Sequence, residues 1–187
     1  MEVTAKPVSA TRSTLTQVME PGHANFLGKV FGGALLSMVD LAAYTTASRF
    51  AGNICVTASF DRVDFVAPID VGDVVTMESF IGFAGRTSME VVIDVWAENI
   101  LTGEKRHTNK ARVTMVALKD GKPHPVPKLI CENREDRLTF LEGKARKERR
   151  FSHRAEFDQI LERLAAQTDE KLDELILASS LAELGFA

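Results

Sequence analysis

The residues with the most chemical promise share one stretch, Pro21-Gly22-His23-Ala24-Asn25-Phe26-Leu27-Gly28-Lys29-Val30-Phe31-Gly32-Gly33-Ala34-Leu35-Leu36-Ser37-Met38-Val39-Asp40. Four glycines and one proline within thirteen residues describe a loop of demanding backbone geometry that lets another group come close. A helix starting at Gly32 and Gly33 would aim backbone N–H groups, at the positive end of its macrodipole, toward an oxygen that becomes negative in a reaction. The same glycines would equally serve tight helix-to-sheet packing. Asp40 stands about two turns further on among Val39, Leu41, Ala42 and Ala43, where a carboxylate is costly unless it is paired or neutralised. It is either a working group or an Asp on the one exposed stripe of the helix. Asn25 can orient a carbonyl or a water with its amide, or simply turn the chain. His23 can act as acid or base, or merely sit exposed in its loop.

The segment after the glycines, Gly33 to Phe50, has no proline and is apolar on nearly every side, which predicts a buried helix of about 17 residues. Segments rich in Val, Ile, Thr and Phe follow at Ile54–Phe65, Asp73–Ala84, Thr87–Glu98 and Thr108–Lys119, each bounded by Gly, Pro or Asn. In the third of these, Met89, Val91, Ile93 and Val95 alternate with Glu90, Val92, Asp94 and Trp96, the pattern of a sheet with one face on a core. Asn99-Ile100-Leu101-Thr102-Gly103 makes a hairpin turn, and Thr11–Met19 adds a strand ahead of the helix. The economical arrangement is α+β: one antiparallel sheet wrapped around one long helix.

The chain of 187 residues is 45% hydrophobic and 26% charged, enough for one domain and an appendage. A formal net charge of -3 gives no general attraction to nucleic acid or to an anionic membrane. Two distant cysteines, Cys55 and Cys131, fit reduced thiols rather than a disulfide framework or a zinc site. With no apolar leader and no apolar run near the roughly 20 residues that cross a bilayer, the expectation is a soluble, cytoplasmic protein. The Pro-rich stretch Lys122-Pro123-His124-Pro125-Val126-Pro127 closes the core domain, so the expected division is 1–130 and 131–187. More than half of residues 132–163 are charged, including the run Lys144–Arg150. In the tail, Phe157, Ile160, Leu161 and Leu164 recur at helical spacing, and Leu172, Leu175 and Ile176 begin a second stripe. These predict two amphipathic helices that dock on a neighbouring subunit through residues 154–185.

Several blocks carry a resemblance to a known family. Pro21-x-x-Ala24-Asn25-x-x-Gly28-x-x-Phe31-Gly32-Gly33-x-Leu35-Leu36-x-x-x-Asp40 is followed by Asp64-Phe65-x-x-Pro68-x-x-x-Gly72-Asp73, Gly85-Arg86-Thr87-Ser88-Met89 and Glu98-Asn99-Ile100-Leu101-Thr102-Gly103-x-x-x-x-Thr108-Asn109-Lys110-Ala111. In order and spacing this resembles the acyl-CoA thioesterases of the hotdog fold, the group of the bacterial short-chain acyl-CoA hydrolases and the brain-type cytosolic acyl-CoA hydrolase. The resemblance runs over about residues 12–128 and leaves the tail without a clear counterpart.

It implies a hotdog fold and hydrolysis of an acyl-CoA thioester, with Asp40 as general base or nucleophile and Asn25 as its partner. The N–H of Gly33 would add to the oxyanion site. It also implies a site shared across a dimer, Asn25 from one subunit and Asp40 from the other, in at least a homodimer and by extension a trimer of dimers. No metal or cofactor is called for, because a thiolate leaves readily. For the CoA moiety the candidates are Gly32, Arg86, Thr87 and Ser88, with Arg62 and Lys110 behind them. Two other readings stand beside this one. A hotdog hydratase would pair His23 with Asp40, and a non-catalytic acyl-CoA-binding module would need only the ligand site.

Overall fold

Met89, Val91, Ile93, Val95 and Ala97 are all buried, and they project to one side of one strand. That period-two pattern recurs on its neighbours and makes a sheet with a single apolar face. The computed structural model describes residues 4–178. The elements are β1 (Ala5–Pro7), β2 (Ser13–Val18), α1 (Gly32–Ala51), β3 (Ile54–Phe65), β4 (Val74–Ala84), β5 (Ser88–Asn99), β6 (Glu104–Lys119), β7 (Lys122–Pro123), β8 (Lys128–Ile130), α2 (Arg134–Ala165) and α3 (Asp169–Leu177). The main sheet has the order β2-β4-β5-β6-β3 and is antiparallel throughout, with β7 beside the end of β6. β1 and β8 form a separate parallel pair.

α1 lies across the inner face. Its Val39, Ala42, Ala43, Ala47 and Phe50 are buried with Ile81, Val91, Ile93, Val113 and Met115 in one cluster. The run of alanines lets the helix backbone approach the sheet closely, and Gly52, at φ 66°, ends the helix in the left-handed conformation that glycine tolerates. The expected antiparallel sheet around a long helix is what the chain forms. The helix differs from its expectation in one respect: it is not covered on all sides. Ser37, Leu41 and Tyr44 make an exposed stripe, with Leu41 54% and Tyr44 42% exposed. β6 starts at Glu104 rather than Thr108, because Glu104 to His107 pair with Asn99 to Trp96 and extend the hairpin to its turn.

The chain divides into compact units at 1–143 and 144–187. α2 begins where Asn133 Oδ1 accepts the Asp136 N–H at 2.9 Å and Asp136 Oδ2 accepts the Glu132 N–H at 2.9 Å, a reciprocal cap. Its first ten residues lie on the outer face of the sheet, where Phe140 meets Phe83 at a ring separation of 5.0 Å. Glycines make that contact possible. A Cβ on Gly143 would sit 2.6 Å from Phe83 Cβ, and one on Gly82 would sit 3.0 Å from Thr139 Cγ2. In the second unit Thr168 caps α3, and Leu175 is buried while Phe157 and Leu161 remain exposed. Residues 179–185 of the expected second tail helix lie outside the described residues.

Gly143→Val places branched carbons against Phe83, a rigid part of the sheet, and is expected to destabilise the first unit by about 1–3 kcal/mol. Thermal unfolding measures it, and an unchanged midpoint would mean that this stretch of α2 does not pack on β4.

Candidate active site

The loop before α1 is held by its own backbone. Asn25 Oδ1 accepts the N–H groups of Leu27 at 2.8 Å and Lys29 at 3.1 Å, while the Asn25 N–H donates to the Lys29 carbonyl at 2.6 Å. Gly28, at φ 72°, supplies the left-handed residue this turn needs. With Oδ1 committed twice, the Asn25 side chain is fixed, and its Nδ2 has no acceptor among the described residues. An amide held by its oxygen presents two N–H donors outward.

A charged network anchors the loop to the sheet. Lys29 Nζ pairs with Asp70 Oδ1, and Arg106 donates to Asp73 Oδ2 at 2.6 Å and to the Pro68 carbonyl at 3.0 Å. Asp73 is buried, and the Asp70 N–H at 3.0 Å from Oδ2 joins Arg106 in satisfying it. Neither Lys29 nor Arg106 stood out in the sequence.

At the start of α1 the Ala34 and Leu35 N–H groups turn back to the Phe31 carbonyl, at 3.0 and 3.2 Å. Gly32 and Gly33 therefore carry the helix N–H groups without a protein acceptor among the described residues. Asn25, Gly32 and Leu35, together with Phe65, Val66 and Asn109, line a cavity of about 330 Å³. A Cβ on Gly33 would lie 2.3 Å from the Phe31 ring, and that ring is free to move.

Asp40 stands in the third turn of α1, half-buried at the edge of the exposed stripe. The Thr57 hydroxyl donates to its Oδ1 at 2.5 Å. Thr57 belongs to β3, the edge strand, where it pairs in regular register with Met115 just before a shift between Thr57 and Ser59. Sequence reading missed Thr57, since a threonine in a strand of Val, Thr and Ser carries no distinguishing pattern.

The structure brings together Asn25, Gly32 and Gly33 at one end of α1, and it sets Asp40 with Thr57 further along. Seven residues separate Gly33 from Asp40, which at 1.5 Å per residue is about 10 Å along the axis. The side chain of His23 joins neither group, since its Nδ1 accepts the Glu20 N–H at 3.0 Å and closes the short turn at Pro21–His23, while its carbonyl accepts the Phe31 N–H at 2.7 Å. Arg86 is exposed in the turn between β4 and β5, and the carbonyls of Arg86 and Thr87 accept the N–H groups of Val126 and Ala117 at 3.0 Å each. Ser88 opens β5. Lys110 points to the outer face, 3.6 Å from Asp94, on the side of β6 opposite Asn109. The side chain of Arg62 lies outside the described residues.

Comparison with known proteins follows the same lines. The pattern of the thioesterase superfamily matches residues 27–104. Protein VdlD of Helicobacter pylori is 39% identical over 127 residues, covering 68% of this chain and 73% of that one. A Bacillus subtilis protein named as an uncharacterized acyl-CoA thioester hydrolase is 40% identical over 117 residues, 62% of this chain and 68% of its own length. Among solved structures, an acyl-CoA hydrolase of Staphylococcus aureus, in complex with butyryl coenzyme A and coenzyme A, superposes with a TM-score of 0.76 at 33% identity. It covers 86% of this chain and 99% of its own. A hexameric acyl-CoA thioesterase gives a TM-score of 0.77 at 40% identity, over 82% of this chain and 99% of that one. Residues 1–130 alone cannot supply such coverage, so part of the extension has a counterpart in these structures. Alanine variants of the Staphylococcus aureus enzyme replace an Asn, an Asp fifteen residues later and a Thr seventeen residues after that. Asn25, Asp40 and Thr57 have that spacing.

Cys55 lies two residues from Thr57, yet burial pushes its thiol up; burial and then the Asp136 carboxylate do the same for Cys131. A raised thiol holds less thiolate at pH 8 than a free cysteine, so alkylation of the native protein is expected to be slow at both. It should rise with pH and be slowest at Cys55, the more deeply buried. Mass spectrometry after iodoacetamide treatment measures this, and rapid native labelling of Cys55 would make that thiol a candidate nucleophile.

Proposed function

The chain belongs to the thioesterase superfamily, and from that membership we propose that it hydrolyses acyl-CoA to free CoA and a carboxylic acid at a site built from two copies. The observation that carries this reading is the pairing of an immobilised amide with free helix N–H groups, about 10 Å from a hydrogen-bonded carboxylate on the same helix.

The Asn25 Nδ2 and the Gly33 N–H polarise the thioester carbonyl and hold the oxyanion as it forms. Asp40 takes a proton from a water that attacks the carbonyl carbon, or attacks that carbon itself to form an anhydride that water then opens; in either case the C–S bond breaks and the thiolate leaves without needing a metal or cofactor. Thr57 fixes the Asp40 carboxylate so that its second oxygen faces the reaction. A separation of about 10 Å is too long for one thioester to bridge, so Asn25 and Gly33 of one subunit work with Asp40 and Thr57 of another. Support comes from the exposed Ser37, Leu41 and Tyr44 stripe beside Asp40, and from the edge strand β3, whose Ile54, Val56, Phe60 and Phe65 are exposed. Two antiparallel copies meeting on those surfaces cover both.

A trimer of dimers is the assembly we propose, in keeping with the hexameric relatives, and the extension then packs between neighbouring copies. The CoA moiety is assigned to Gly32, Arg86, Thr87 and Ser88, with Arg62 and Lys110 behind them. A cytoplasmic setting is part of the proposal, supported by mammalian relatives named cytosolic acyl coenzyme A thioester hydrolases; among the described residues no helix is long and apolar enough to cross a membrane.

Release of free thiol from acyl-CoAs of increasing chain length tests the reaction. Asp40→Asn keeps the shape and the Thr57 contact but removes the base, and should lower kcat on the order of 10²-fold. Thr57→Val, which removes only the donor, should cost on the order of 10-fold. An Asp40→Asn enzyme with more than about half of normal turnover would remove Asp40 from the chemistry.

A further inference from the structure

Asn109 is wholly buried on the inner side of β6, in the position that Ala111, Val113 and Met115 occupy further along the strand. Its Nδ2 donates to the Asp64 carbonyl at 2.8 Å. That bond fixes which end is which, since a flipped amide would set oxygen against oxygen. Its Oδ1 is buried and has no hydrogen-bond partner among the described residues. A leucine would fill such a place without cost, whereas an acceptor buried without a donor is unfavourable and calls for an account.

Asn109 helps to form the wall of the same cavity that Asn25, Gly32 and Leu35 line. Phe65 and Val66, which are largely exposed, close the same wall. At this cavity the chain thus sets a free donor, the Asn25 amide, and, shut off within the wall, an unpaired acceptor, Asn109 Oδ1, among apolar groups. This pairing selects between the two arms of an acyl-CoA. An unsubstituted acyl chain has no hydrogen-bond donor to offer. The carrier arm has one close by, the amide N–H two carbons beyond the thioester sulfur.

We propose that this cavity receives the carrier arm and that Asn109 Oδ1 accepts a hydrogen bond from the amide N–H nearest the thioester, making Asn109 a specificity residue for the thiol half of the substrate. The inference rests on the thioesterase reading. With the arm on this side, the acyl chain leaves the carbonyl in the other direction.

The test uses the full chain and three thioesters with one acyl group in common: the acyl-CoA, the N-acetylcysteamine thioester, and its isostere in which an ester oxygen replaces the amide N–H. A buried acceptor discriminates strongly against a partner that lacks the donor. The wild-type kcat/KM should thus favour N-acetylcysteamine over its isostere on the order of 10-fold, and Asn109→Ala should bring the two within about 2-fold of each other. Losing the tie to Asp64 would depress all substrates alike and leave their ratio unmoved. Equal wild-type rates on the amide and its isostere overturn the proposal without any variant, as does an Asn109→Ala enzyme that keeps the preference. Absence of thiol release from every acyl-CoA would instead overturn the thioesterase reading, and this proposal with it.

Discussion

The rise of an α-helix is fixed, and it spaces the two halves of the proposed site in this protein. Gly33 lies in the first turn of α1 and Asp40 in the third, about 10 Å apart along the axis, and the core contacts of Val39, Ala42, Ala43 and Ala47 hold the helix straight against the sheet. Neither half can move toward the other without unpacking that core. In the proposed reaction the oxyanion donor and the carboxylate that meet at one carbonyl therefore come from two copies.

The surrounding architecture serves each half separately. On the donor side, the Asn25 turn is tied to the sheet through Lys29, Asp70, Arg106 and Asp73, and the Val30 N–H adds a bond to the Ile69 carbonyl at 2.9 Å. On the carboxylate side, Thr57 stands in regular register opposite Met115 on the edge strand β3, with the same parity as the buried Cys55, and meets Asp40. The uncovered stripe on α1 lies beside this second half. The same strand and the same helix thus offer both a reactive group and a surface for a second copy.

The alternation of Met89, Val91, Ile93 and Val95 and the long apolar run after Gly33 were enough to read a sheet wrapped around a helix. Asp40 stood out as a candidate because a carboxylate is costly in an apolar helix, while Asn25 and Gly33, ordinary residues for a turn and a helix start, were singled out through the family resemblance. Thr57 was not, because its contact with Asp40 is made across the fold and leaves no mark in composition. Strand parity could have separated Lys110 from Asn109, since adjacent residues of β6 face opposite sides, but the number of residues the hairpin would take up was not visible in advance. The start of α2 was hidden for another reason. Its cap lies in Asn133 and Asp136, and the helix then runs through largely charged residues before the stripe that begins at Phe157.

The claim that one site is drawn from two subunits is tested most directly by complementation. Asn25→Ala and Asp40→Ala subunits, each inactive alone, are mixed under conditions of subunit exchange, and thiol release from acyl-CoA is followed. Random pairing leaves one intact site in about half of the dimers, so the account expects about a quarter of wild-type activity per site to return. If mixed dimers form, as shown by differently tagged subunits, and no activity returns, the site lies within one chain and the account is wrong.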